Sequence, residues 1–139
     1  MKRSKYLNAT LITVGLAIIF LGLNIGLGGM QTLGWQTSEP FLAVTNEPVF
    51  QVQDSHIRFI GGIWFGVGAV FVLGGFKQDT FQTTLIVLCV AIAVAGLFRL
   101  SDLSSGVVFS AAIMPSLALE LFAFPLLGWW LLRSGNRAA

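Results

Sequence analysis

Four apolar stretches, separated by polar breaks, run the length of this chain. No charged residue occurs between Lys5 and Glu39. A bilayer core of ~30 Å needs roughly 20 consecutive apolar residues in a helix. The pattern predicts such helices over about 7–30, 55–76, 81–100 and 107–132. Asp54, His56 and Arg58 mark the entry to the second, and Arg99 and Asp102 the exit from the third. The last two breaks are short, which makes consecutive helices antiparallel neighbours. The expected fold is an all-α membrane protein, a single four-transmembrane-helix up-down bundle over residues 1–139. Its one long connection, 29–54, follows the first helix and carries Gly34, Pro40 and Pro48. It also holds two apolar patches, Pro40-Phe41-Leu42-Ala43-Val44 and Pro48-Val49-Phe50. It reads as an outer linker or as a cap across the outer mouth. The two helix pairs do not repeat one another.

Composition agrees with the pattern. Hydrophobic residues are 55% of the 139 and charged residues 10%, well under the ~25% charged of soluble domains. Mean hydropathy is +0.84. An isoelectric point near 9.1 raises the question of nucleic acid. The basic residues are scattered over ends and breaks, without the stripe that tracks a phosphate backbone, so no nucleic-acid partner is expected. A single cysteine, Cys89, rules out a disulfide framework or a cysteine metal site and reads as a small packing residue. A cleaved leader is not expected, because the first apolar stretch is too long and no small-residue cleavage site follows it promptly.

Basic residues near the spans set orientation. With the N-terminus inside, Lys2, Arg3, Lys5, Lys77, Arg133 and Arg137 lie in the cytoplasm, and Arg58 and Arg99 outside. Six against two places both termini in the cytoplasm. Trp129 and Trp130 then suit the inner interfacial belt and Trp35 the outer one.

Glycines indicate where helices meet. Gly22 and Gly26 in the first helix, and Gly62 and Gly66 in the second, form GxxxG pairs that let backbones approach in lipid. Packing within the chain is the expected use, and homo-oligomerisation the alternative. Asn24 is expected to make an interhelical hydrogen bond.

Glu120 is the residue least at home in its surroundings. It stands well inside the fourth span, up to ~20 Å along the axis from Val107 at 1.5 Å per residue. An acid in a span is costly and marks a functional site or a structural pair. Pro125 withholds a donor from the carbonyl of Leu121, and Pro115 from that of Ala111, so the helix is expected to bend around its acid. Arg99, if turned inward, is the natural counter-ion, and the expected result is an outward-opening polar pocket. Asp54 and Arg58 have the i,i+4 spacing of a helical pair, or Asp54 caps the second helix. The charge cluster is therefore Glu120, Arg99, Arg58, Asp54, Asp102 and His56. The other reading is structural: Glu120 neutral, or hydrogen-bonded to Asn24 or a backbone carbonyl. His56, the single histidine, cannot supply a bis-histidine haem and reads as an interfacial polar residue. No metal site and no cofactor is expected.

The segment Asp54-Ser55-His56-Ile57-Arg58-Phe59-Ile60-Gly61-Gly62 resembles the signature of a bacterial membrane family known as domain of unknown function 4345. Gly96-Leu97-Phe98-Arg99-Leu100-Ser101 with Gly106, and Met114-Pro115 through Glu120, resemble its third- and fourth-helix segments. The family is similar in architecture to DoxX-like four-helix proteins, so the resemblance implies that fold and a bacterial inner-membrane location. It implies no activity. From the residues, the first expectation is binding of a small amphiphile (lipid, quinone or isoprenoid) around Glu120, with Arg58 and Arg99 at its head. The alternative is an accessory or structural subunit of a larger inner-membrane complex. An isomerase or redox role with Glu120 as general acid or base ranks lower, since no nucleophile, metal triad or nucleotide loop accompanies it. A transporter ranks last.

Overall fold

In a computed structural model, described for residues 5–36 and 44–135, every regular element among the described residues is helical. Helix α1 is Lys5–Gly28, followed by a 3-10 segment Gly29–Gln36; α2 is Glu47–Phe76 and α3 is Gln78–Arg99. Short 3-10 turns at Leu100–Ser105 and Val107–Phe109 lead into α4, Met114–Ala118. A π-helical turn, Leu119–Ala123, joins α4 to α5, Phe124–Gly135. Four stretches, Lys5–Thr32, Glu47–Phe76, Gln78–Ser104 and Met114–Ser134, are helical, long and apolar enough to cross a membrane.

Two boundaries differ from expectation. Helix α2 begins at Glu47, ahead of the expected 55, so Pro48-Val49-Phe50 is its first turn rather than a loop patch. Proline suits that turn, where its missing N–H has no helical acceptor to serve. Its 30 residues span about 45 Å, so the polar start can extend beyond a ~30 Å hydrocarbon core. The fourth span begins at Met114 rather than 107, with Pro115 in the opening turn. Proline is well tolerated in an opening turn; the Met114 N–H donates to Ser110 O at 3.0 Å and the Leu117 N–H to Ile113 O at 3.0 Å, and Pro115 has no N–H to give the Ala111 carbonyl between them. The patch around Pro40, with Lys2, Arg3 and Arg137, lies outside the described residues, and the Trp35 side chain is likewise not described.

The chain divides into two compact units, one within Arg3–Phe76 and the other within Lys77–Ala139. The first is an antiparallel hairpin of α1 and α2 closed on a stripe of glycines. Positions 8, 15, 22 and 29 in α1 and its exit, and 54, 61, 68 and 75 in α2, are each seven residues apart. They meet in register. A Cβ on Gly15 would stand 2.7 Å from Val72 N, one on Gly68 2.7 Å from Gly15 O, and one on Gly75 3.1 Å from Asn8 O. Gly22 and Gly61 lie so close that either Cβ would strike the other helix's backbone. A seven-residue repeat is the seam of left-handed helix packing, and bare backbones give helices contact in lipid. The GxxxG expectation is half met. Gly22 and Gly26 face α2, but the residue opposite is Gly61. A Cβ added at Gly62, one position further round the helix, or at Gly66 would meet nothing within 4 Å.

The second unit is an antiparallel hairpin of α3 against the π turn and α5. Gly128 packs on Cys89, which is buried, and the Gln82 side-chain amide donates to the Leu131 carbonyl at 2.7 Å. The buried stripe of α3 again repeats by seven: Gln78, Leu85 and Ile92, with Cys89 and Gly96 beside them. Extended by one more step, that stripe reaches Arg99. At the opposite end of this hairpin the Arg133 guanidinium lies 4.0 Å over the exposed Trp129 ring, an amphipathic anchor of the kind interfaces favour.

Candidate functional site

Arg99 is the last residue of α3 and occupies its packing stripe, so its side chain is directed at the neighbouring helix. It donates from Nε to Oε2 of Glu120 at 2.8 Å and from Nη2 to Oε1 at 3.0 Å. This two-pronged fork is the strong geometry for a guanidinium and an ionised carboxylate. The two halves are buried unequally. The Glu120 side chain is 10% exposed and that of Arg99 42%. The carboxylate is enclosed, whereas nearly half of the arginine side chain is open.

Two backbone features make room for the fork. Gly96, one turn before Arg99, is buried, and a Cβ there would stand 2.8 Å from Glu120 Cβ and 3.1 Å from Leu121 Cδ2. Only a glycine lets the two helices come this near. Opposite it, the helix is widened into the π turn, in which the Phe124 N–H donates to Leu119 O, five residues back. That bond passes over the carbonyl of Glu120. The next residue, Pro125, has no N–H to offer, so the Glu120 carbonyl loses both its α- and its π-register donors. Single π turns within helices frequently accompany functional sites. The bend expected around the acid is therefore a widened turn, and it involves the carbonyl of Glu120 itself.

Depth also changes. From Met114 to Glu120 the chain advances about 9 Å, less than the ~20 Å reckoned from a start at Val107, so the acid lies near the beginning of its span. Helix α3, 22 residues long, measures about 33 Å, enough to cross a ~30 Å hydrocarbon core, and Arg99 is its last residue.

Asp54 and Arg58 form a separate pair within the first unit. Arg58 Nε donates to Asp54 Oδ2 at 2.6 Å, as their helical spacing indicated. Each also grips the end of α1. The Met30 N–H donates to Asp54 Oδ1 at 2.7 Å, and Arg58 Nη1 donates to the Leu27 carbonyl. Between these lies Gly29 with φ +66°, a left-handed conformation suited to glycine. A helix end leaves its last carbonyls without partners, and this pair closes it. The N-cap alternative for Asp54 fails because α2 starts earlier, at Glu47. His56 is exposed on α2, and Asp102 is exposed in the turn after α3, where its backbone leaves helical geometry (φ −108°, ψ 41°). Four of the six expected cluster residues thus form two ion pairs, one per unit, and His56 and Asp102 are exposed. The Asn24 backbone carbonyl accepts the Thr32 hydroxyl at 3.2 Å, a bond between α1 and the segment that follows it rather than the interhelical bond expected of its side chain. Among the described residues no group of three or more His, Cys, Asp or Glu is placed to hold a metal ion.

The seven-residue glycine stripe, and the extension of the α3 stripe to Arg99, are signals that hydropathy and GxxxG spacing overlook. The first marks Asp54 as inward and the second Arg99, apart from His56 and Asp102.

Residues 6–131 match a family model described as "Domain of unknown function (DUF4345)". No curated protein and no solved structure gives a significant match.

Proposed function

The chain belongs to the DUF4345 family, whose description assigns no chemistry, and from the site itself we propose that it is an integral membrane protein that binds a small amphiphile, with the head against Arg99. The observation that carries this reading is the unequal burial of the fork: an enclosed Glu120 holds an arginine whose side chain is nearly half open. Head groups occupy the boundary at which Arg99 stands. The exposed apolar residues Leu119, Phe122 and Leu126 lie on the same helical segment as Glu120 and offer a surface for a tail. A lipid, a quinone and an isoprenoid all have this form. Arg58, committed to Asp54 and the end of α1, is assigned a structural role. A bacterial inner-membrane location, cytoplasmic termini, a four-helix bundle and kinship with DoxX-like proteins belong to the same proposal. They rest on the basic-residue asymmetry and the resemblance of the motifs.

The test removes both charges together. Deleting one partner strands the other in a poorly solvated place, whereas replacing a buried pair by apolar residues is often neutral or stabilising. The double variant Arg99→Leu/Glu120→Leu is expected to fold and to purify without the lipid-like molecule that accompanies the wild-type protein, as read by mass spectrometry of solvent extracts. The same molecule at unchanged stoichiometry in the double variant would refute the assignment.

A further inference from the structure

The charge of the accepted head follows from how the fork is made, on the reading that Arg99 is the amphiphile site. A guanidinium has five N–H donors. Glu120 takes one from Nε and one from Nη2. Both N–H groups of Nη1 and the second of Nη2 are left over on a side chain that is 42% exposed, and among the described residues Glu120 is the one acceptor on it. The donors are available, but the charge behind them is already cancelled by a carboxylate that is itself nearly enclosed.

An anionic head on those donors would leave a group of one cation and two anions at the boundary of the hydrocarbon layer. Uncompensated charge in such surroundings is strongly penalised. A neutral carbonyl or hydroxyl oxygen takes the same N–H donors and adds no net charge. We propose that the site selects amphiphiles with an uncharged, oxygen-bearing head, and that Glu120 is the specificity-determining residue that excludes anionic ones. Glu120 also holds the plane of the guanidinium, so it positions the donors as well as setting their charge. Its role is then more than that of a structural counter-ion.

Two probes with equal tails separate the outcomes: 1-dodecanoylglycerol, which is neutral, and dodecyl phosphate, which is anionic. Each is titrated into the full-length protein in nanodiscs of zwitterionic lipid, with occupancy read by native mass spectrometry. The wild type is expected to favour the neutral probe at least ten-fold. Glu120→Gln keeps the shape and one acceptor but uncovers the arginine charge, and it should reverse the preference. Equal binding of both probes by the wild type, or an unchanged preference in a folded Glu120→Gln variant, overturns the selectivity while leaving an amphiphile site standing. Binding of neither probe by the wild type removes the amphiphile reading and this inference with it. Should Glu120→Gln not fold, the ratio of the two probes on the wild type decides alone.

Discussion

At the scale of single residues, the absence of a side chain at Gly96 matters as much as the two charges it adjoins. Gly96→Ala places a methyl carbon 2.8 Å from Glu120 Cβ, nearer than carbon atoms pack. One helix must then shift, a change that costs about 1–3 kcal/mol by the usual penalty for overpacking. The variant should show a lower midpoint in thermal unfolding in detergent and weaker retention of the amphiphile, because the fork opens with the shift. Wild-type stability and retention would mean that the π turn absorbs the methyl group. Arg99 and Glu120 were both legible from the sequence as charges near or within spans, and their pairing as one of two readings. The fork itself was not legible, since it needs Gly96 and the widened turn together. Asp54 and Arg58 were legible as a helical pair. Their hold on Leu27 and Met30 was not, because it depends on the left-handed turn at Gly29, which no pattern of polarity records.

At the scale of elements, the α1–α2 seam separates two kinds of glycine that look alike in the sequence. A Cβ on Gly61 strikes the backbone of Gly26, whereas one on Gly66 meets nothing within 4 Å. Gly61→Ala is expected to destabilise the first hairpin by about 2 kcal/mol or more, as overpacking against an unyielding backbone does. Gly66→Ala should instead stabilise α2 by about 0.5–1 kcal/mol through reduced chain entropy. Reversible unfolding of the two variants in mixed micelles gives the comparison, and equal effects would refute the register of the seam. The four apolar spans were readable because their composition is so lopsided. The late start of the fourth was not, because 107–113 is as apolar as a helix and yet turns in 3-10 geometry. Gly106, with φ +69°, and Pro115 confine the α-helix to the residues that follow. The early start of α2 was hidden in the same way, by a polar segment that forms helix beyond the expected edge of the apolar run.

At the scale of the whole molecule, the prediction concerns topology. Cys89 is the single cysteine and is buried, so a Cys89→Ser background accepts one new reporter at a time. Cysteines at Ser4 and at Ala138 should react with a membrane-impermeant maleimide only after cells are opened, and a cysteine at Gln36 before. Labelling of either terminus in intact cells would reverse the proposed orientation. In the proposed orientation Arg99 stands at the outer boundary of the membrane, where one end of the transmembrane field begins. A lone arginine carried across that field would gain or lose about 2.3 kcal/mol for every 100 mV. The fork with Glu120 moves no net charge, and neither does an uncharged head arriving on it. On the proposed reading, loading of this site is accordingly blind to voltage: an energised membrane and a depolarised one should fill it to the same extent.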